Sequence, residues 1–401
     1  MTVEPQRLLR TPKLRADESF MGYIIRLAEQ NGYDSPAWIL KLSQLNEQAL
    51  TQACPFVYKS PESLWLLSHL SGNDISELAS LTCRPVSNQL YEVSLFFGVP
   101  VQRLCILPGR PKVCPECLRE AAYCRRAWEF VLITVCPLHR CLLIDECPNC
   151  KQRITWSRSN VTVCPCEYDW REFTAPLLQE HELRLTRTIY HLCGIYDLDT
   201  TSISRQNPVL SLQLQEFILA MVFISGQRQG RSLMTINHLL PKRRNKDFHK
   251  LFTEAYDIFE NWPSNYYQFL HWWRKQQRNT ILGYQRLHSV LYRDFGKFYM
   301  GLYNMLPPSQ SGFIREGFLN YLVEEWEGCN LSAFAKGKDT GGYKVKYVSK
   351  SDAKRLLAAD NKLINHFIYT GRLKTKVRSK GMKRLIFVDV ADIAKLLNES
   401  S

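Results

Sequence analysis

At 401 residues the chain exceeds a single ordinary core, and its 45% hydrophobic share is that of a soluble globular protein, so about two to four domains are expected. The longest apolar run, FILAMVFI from Phe217, is too short to cross a bilayer, and the charged N-terminus MTVEPQRLLRTPKLRADESF holds no apolar stretch of signal-peptide length. Neither a membrane span nor a secretory leader is therefore expected; the expected setting is a reducing cytoplasm, where clustered cysteines more often bind metal or do chemistry than form disulfides. The net charge of +14 points to a polyanionic partner; the segment from Lys336 to Arg384 carries 15 Lys and Arg against three acids, a net +12.

Residues 1–105 are expected to form a helical, helix-turn-helix-like N-terminal domain. DESFMGYIIRLAEQNGY sets Phe20, Tyr23, Ile24 and Leu27 on one helical face, with Gly32 past the end. PESLWLLSHL, Ser71-Gly72 and NDISELASL form a second helix pair with almost no positive charge, which suits packing or protein contact better than DNA reading.

Residues 106–172 are expected to form tandem zinc-binding, ribbon-like modules. Cys114, Cys117, Cys136 and His139 follow C-x2-C-x18-C-x2-H; Cys147, Cys150, Cys164 and Cys166 follow C-x2-C-x13-C-x-C. A pair two residues apart forms a tight knuckle whose donors converge on one ion, and a second pair completes a tetrahedron. Buried free thiols could explain one such pair, but four close pairs in a short block favour ligands; a thioredoxin-type redox motif would need one reactive pair on a βαβ unit. The deaminase signature H-x-E with P-C-x-x-C is absent from the sequence, as is H-E-x-x-H. With four protein ligands filling each set, both zinc sites are expected to be structural, not catalytic. Cys124 and Cys141 lie in the same window and compete for a ligand role. The remaining cysteines, among them Cys54, Cys83, Cys105, Cys193 and Cys329, are expected in the core.

Residues 173–335 are expected to be helical and aromatic-rich. Leu210, Leu214, Phe217, Ile218 and Met221 make a buried stripe ending at Gly226, and FENWPSNYYQFLHWWRK and FGKFYMGLYNMLPP add aromatic helices. The basic run at Lys242 is read as a solvated turn in preference to a phosphate contact. No G-x-x-x-x-G-K-[ST] motif occurs, so the sequence carries no P-loop.

Residues 336–401 are expected to form a basic winged helix-turn-helix, joined by a Gly- and Lys-rich linker around Gly337. Ser349 or Ser351 caps a helix carrying Ala353, Leu356 and Leu357; a second carries Leu363, Ile364, Phe367 and Ile368 and ends at Gly371. LKTKVR and KRLIFVDV alternate around Lys380-Gly381 as a hairpin, and Asp389 or Asp392 opens a closing helix. In such an arrangement the second helix enters the DNA major groove and the wing lies over phosphates. Lys362, Asn365, His366 and Tyr369 would then face DNA, with Arg372, Lys374, Lys376, Arg378, Lys380, Lys383 and Arg384 on the wing; the alternative is a small αβ domain contacting RNA or protein by charge. This segment resembles the winged helices of excisionases and MerR regulators through DAKRLL, YTGRL and RLIFVDVADI.

DESFMGYIIRLAEQNGY, the block CPECL…AWEF…CPLHRCLLIDECPNC and the later WPSNYYQFL together resemble the TniQ/TnsD family of target-site selectors in cut-and-paste DNA transposition. The likeness is specific over about residues 12–170 and weaker to about 335. It implies a non-catalytic bacterial adaptor, cytoplasmic and nucleoid-associated when on DNA, that marks the insertion site and recruits an AAA+ ATPase regulator and then the transposase. It also implies zinc at the two ligand sets named above, of which the second departs from the first in its Cys164-x-Cys166 spacing. TnsD-like members read a fixed DNA site, whereas TniQ-like members of CRISPR-associated transposons dock, often as homodimers, on an RNA-guided effector such as Cascade. The basic tail tilts the choice toward direct contact with double-stranded DNA. The competing readings are a zinc-containing DNA-binding transcription regulator and an enzyme such as a nuclease, for which no motif nominates a catalytic set.

Overall fold

The protein's structure, a computed structural model, describes residues 6–45, 61–82, 84–85, 93–102, 105–107, 109–195, 207–228, 243–280, 290–330, 344–380 and 383–399. For some of these, including Arg378, Lys380, Lys383 and Arg384, the backbone alone is described. The expected linker at Gly337, the hairpin turn at Gly381, and Cys54, Cys83 and Lys242 lie outside the described residues. The chain is mainly helical and divides into two compact units, Met1–Gln215 with Asn237–Tyr256, and Glu216–Ile236 with Asp257–Ser401. Among the described residues no helix is long and apolar enough to cross a membrane.

The first unit opens with α1 (Phe20–Gln30). Ser19 caps it, its Oγ accepting from the Gly22 N–H, and Phe20, Tyr23, Ile24 and Leu27 are all buried as their spacing predicts. Gly32, at φ 73°, turns the chain out of the helix. After α2 (Ala37–Leu42), the pair α3 (Trp65–Ser71) and α4 (Ile75–Ser80) is joined at Gly72, with Asp74 and Glu77 forming a capping box.

A small antiparallel meander follows: β1 (Arg84–Pro85), β2 (Val93–Phe96) and β3 (Val99–Gln102), pairing Leu95 with Pro100. The helical reading of residues 1–105 did not anticipate it. Strands of four residues or fewer are too short for a two-residue period to stand out, and the turn, Phe97-Gly98, has positive φ at both positions as a two-residue hairpin requires.

The cysteine block then packs on α1 in one core. It contains α5 (Pro115–Glu120) and the two-stranded pair β4 (Val135–Cys136) and β5 (Cys141–Leu142). The Ser19 N–H donates to the Cys124 carbonyl at 2.8 Å, Arg125 pairs with Asp17 at 2.5 Å, and the Val161 N–H donates to Glu29 at 3.1 Å. A Cβ at Gly22 would lie 2.7 Å from the Cys124 Cβ, so this approach of helix to block needs glycine. Arg158 is buried between the rings of Trp156 and Trp170, 5.2 and 5.1 Å from their centroids.

Next come α6 (Glu180–Cys193), α7 (Leu214–Arg228) and α8 (Asn245–Tyr256). Asn245, at the start of α8, donates from its side chain to the carbonyls of Thr134 and Leu143, both at 2.7 Å, fastening that helix to the β4–β5 pair. Leu210 sits in a short 3-10 turn ahead of α7, and α7 runs through Gly226 to Arg228 instead of ending at the glycine. A buried helix interior tolerates glycine when packing outweighs its propensity cost of about 1 kcal/mol.

The second unit is built on aromatic side chains from α9 (Ser264–Thr280), α10 (Val290–Met300) and α11 (Gly312–Glu324). Tyr266, Phe295, Phe298, Tyr299, Phe318 and Tyr321 are fully buried. The Trp262 ring stacks on Phe313 with centroids 4.2 Å apart and lies where a Cβ at Gly317 would be, at 2.4 Å. Asp294 is buried against Arg274 at 3.2 Å and accepts from the Trp326 indole at 3.0 Å.

After the pair β6 (Cys329–Asn330) and β7 (Lys344–Val345), the basic segment runs β8 (Tyr347–Ser349), α12 (Lys350–Leu356), α13 (Asn361–Tyr369), β9 (Thr375–Lys380), β10 (Lys383–Asp389) and α14 (Val390–Asn398). Its sheet is antiparallel in the order β8-β10-β9. Ser349 caps α12 and Asp389 caps α14. Val348, Ala353, Leu356, Ile364, Leu373, Val388 and Ile393 form its core. The segment shares that unit with the aromatic helices: Tyr299 donates to the buried Asp352 carboxylate at 3.0 Å.

Candidate metal centres and basic segment

Cys114 precedes α5 as its N-cap, with Pro115 in the first turn, so Cys114 and Cys117 face one point across the helix start. Cys136 ends β4, and the tight turn to β5 presents His139. The donor atoms of Cys114, Cys117, Cys136 and His139 lie within 4.8 Å of one another. His139 Nδ1 is 3.6, 3.3 and 3.5 Å from the sulfurs of Cys114, Cys117 and Cys136, and Cys117 Sγ is 3.6 Å from Cys136 Sγ. Ligands about 2.0–2.3 Å from a tetrahedral zinc stand about 3.3–3.8 Å apart. A disulfide would instead bring sulfurs to about 2.05 Å.

On the far side of the ring, His139 Nε2 lies 2.9 Å from Glu120 Oε1. A carboxylate there holds the proton on Nε2, leaving Nδ1 with its lone pair toward the thiolates, which is the arrangement a zinc-bound histidine needs. The sequence reading missed Glu120. The signal was its place on the knuckle helix, one turn beyond Cys117.

The second group brings together Cys147, Cys150, Cys164 and Cys166, also mutually within 4.8 Å. Cys147 Sγ is 3.8 Å from Cys166 Sγ, and Cys150 Sγ is 3.7 Å from Cys164 Sγ, again tetrahedral edges. The single residue between Cys164 and Cys166 does not prevent convergence, and Glu167 just beyond them turns the chain at φ 67°. The Tyr168 backbone N–H points at Cys166 and draws its thiol down to about 6. Both groups therefore have the donor set and spacing to hold zinc.

Cys124 stands apart from both groups: it is buried beside Arg158, whose guanidinium donates to its sulfur at 3.4 Å. Cys141 touches the first group at one corner, 3.6 Å from Cys114 Sγ. Cys105 and Cys193 are buried.

In the basic segment, Lys362, Asn365, His366 and Tyr369 are exposed on α13, opposite buried Ile364, and Tyr369 is 91% exposed. Arg372 pairs with Glu399 and lies over the Phe367 ring. Lys374 and Lys376 are exposed, the latter 4.6 Å from the Tyr347 ring centroid. The backbones of Arg378, Lys380, Lys383 and Arg384 lie on the paired strands β9 and β10. Lys350, Lys354 and Arg355 on α12, not singled out from the sequence, line a cleft of about 550 Å³ with Asn361 at the start of α13.

Residues 9–143 match the family model described as TniQ, so the chain carries a TniQ domain. That stretch takes in α1, the helix pair, the meander and the whole first ligand group; the second group lies beyond it. No curated protein matches the chain.

Proposed function

We propose that this protein is a non-catalytic target-site selector in DNA transposition, its basic C-terminal segment contacting double-stranded DNA as a winged helix-turn-helix. The observation that carries the reading is a TniQ domain in the same chain as a segment ordered strand, helix, helix, hairpin and helix, whose outward helix face bears Lys362, Asn365, His366 and Tyr369. In this reading the two ligand groups hold structural zinc, since each offers four protein donors and keeps no place for a catalytic water. The TniQ domain and cysteine block serve as the docking platform for an AAA+ ATPase regulator and, through it, the transposase. Lys374 and Lys376 act on phosphates; Arg378, Lys380, Lys383 and Arg384 follow on the wing. Arg372 is held by Glu399 and contributes less than the sequence alone suggests.

Direct DNA recognition is favoured over docking on a Cascade-type RNA-guided effector because the charge is concentrated on one folded segment. The test is duplex binding across a salt series. Lys374→Glu with Lys376→Glu should weaken binding and flatten the dependence of log K on log salt by about two phosphate contacts, a slope change of about 1.8. An unchanged slope would remove the C-terminal segment from the interface. Co-purification from cells separates the two modes: Cascade subunits bound to the chain would favour the adaptor.

A further inference from the structure

Separate stretches of the cysteine block and the start of α8 meet around Asp145 and Glu146. Val113 and Ile144 exchange backbone hydrogen bonds at 2.9 Å, and Glu146 stands opposite Arg153 across an isolated β-bridge. The Asn245 N–H donates to Asp145 at 2.9 Å. These contacts gather Arg110, Arg153, Arg243 and Arg244 in one place. Arg243 and Arg244, from the basic run read as a solvated turn, are half-buried there. Burial holds the Arg110 guanidinium below its usual range, and the charges of Arg153 and Arg244 push the same way, with Asp145 offsetting part of the effect.

The carboxylates at this place leave much of the positive charge unanswered. Asp145 accepts from the Asn245 backbone, and Asp247 from the Arg244 backbone N–H at 3.0 Å. Glu146 meets the Arg244 side chain at 3.3 Å, longer than the about 2.7–2.9 Å of a close guanidinium–carboxylate bond, and Arg244 Nη1 finds no acceptor. Arg153 donates to the Arg243 carbonyl at 3.3 Å, a group without formal charge, and among the described residues it forms no ion pair. Arg153 and Arg244 thus flank Glu146 with one long ion pair between them. Like charges held together are costly, and an incoming anion relieves that cost.

We propose that Arg153 and Arg244, with Arg110 and Arg243 beside them, form a further nucleic-acid contact that binds backbone phosphates on the cysteine block. Guanidinium forks match phosphate oxygens bidentately. A carboxylate on a partner protein would neutralise one of these charges, whereas a nucleic-acid strand presents a phosphate at every nucleotide and can meet several. Lys112 takes no part, because the carbonyls of Phe130 and Ile133 hold its ammonium inside the core. The contact belongs to the first compact unit, not to the basic C-terminal segment, and stands whether or not that segment binds DNA.

The experiment measures binding of the full-length, zinc-loaded protein to a mixed-sequence DNA duplex and to a mixed-sequence single-stranded RNA across a salt series. Arg153→Gln with Arg244→Gln should flatten the dependence of log K on log salt by about 1.8 on the duplex or about 1.4 on the RNA, two phosphate contacts in either case. The nucleic acid whose slope falls identifies the source of the phosphates. The same flattening should be found when Lys374→Glu and Lys376→Glu are already in place. Glu146→Gln removes the competing carboxylate and should tighten binding about threefold, the opposite of what loss of a merely structural pair would do. Zinc content and thermal melts show whether each variant is folded; where the arginine variant melts early, the Glu146→Gln result decides. Unchanged slopes on both nucleic acids, or unchanged or weaker binding by Glu146→Gln, would overturn the inference. Unchanged slopes together with loss of a co-purifying ATPase regulator would assign the cluster to a carboxylate-bearing partner instead.

Discussion

Glu129 is a carboxyl 5% exposed in the turn Arg126–Glu129, and burial pushes it up to about 8, with Arg126 only partly offsetting the cost of charge. The folded chain therefore keeps this proton where the unfolded chain has lost it. Stability from this residue is fully present below the ordinary carboxyl range and drains away as pH rises from about 4.5 to about 8. Glu129→Gln should melt close to the native protein at pH 5 and higher than it at pH 8. Thermal melts of the two proteins side by side check this, since pH effects on the zinc ligands are common to both and cancel. The same scale governs Glu120, whose carboxylate meets His139 Nε2. Glu120→Ala should lower zinc affinity of the first group by about tenfold or more and leave the second group unchanged. A chelator titration resolving two zinc equivalents reads the difference; equal loss from both groups would mean that Glu120 acts on the whole block instead.

Three of the four metal knuckles close with a residue in left-handed backbone, Arg140 at φ 52°, Lys151 at φ 60° and Glu167 at φ 67°, whereas Cys114–Cys117 runs on into α5. An L side chain there costs about 1–2 kcal/mol, which glycine relieves at some cost in chain entropy. Lys151→Gly should therefore be neutral or stabilising by up to about 1 kcal/mol, and β-branched Lys151→Val destabilising by about 1 kcal/mol or more, read as shifts in denaturant midpoint with zinc bound. The ligand spacing was legible in the sequence because metal geometry leaves few ways to arrange paired cysteines. The caps at Ser349 and Asp389 were legible, each alongside one neighbouring candidate, Ser351 and Asp392, because a short polar side chain before an apolar run has one common use. The meander β1–β3 and the strand β8 were not, since elements of two to four residues carry almost no period, and β8 gains its place by pairing with β10, far along the chain. Nor was the hydrogen bond from the Lys350 ammonium to Asn365 legible: it joins two helices through a turn at Ala358, at φ 48°, whose angle no local pattern encodes.

Both ligand groups lie in the first compact unit, on the same core as α1, while the second unit buries Tyr266, Phe295, Phe298, Tyr299, Phe318 and Tyr321 around its own centre. Their dependence on metal should therefore differ. A structural zinc contributes on the order of 10–16 kcal/mol of apparent binding free energy at neutral pH, against a total stability of about 5–15 kcal/mol for a typical domain. If both groups hold zinc as proposed, losing two such ions should exceed what the apolar core of the first unit can make up, even with Arg158 and Lys112 buried and hydrogen-bonded inside it. The second unit holds no cysteine group of this kind among its described residues, so its aromatic core should stay intact without metal. Stripping zinc with a strong chelator should abolish amide-exchange protection in α1, α5 and α8 while α10, α11 and β10 keep theirs. The helix α7 should divide this behaviour, because its first residues belong to the one unit and the rest to the other. Uniform loss across both units would show one cooperative fold held by the metal. Protection retained in α1 after both zinc equivalents have left would show that the TniQ domain stands on its apolar core, with the ions serving the cysteine block alone.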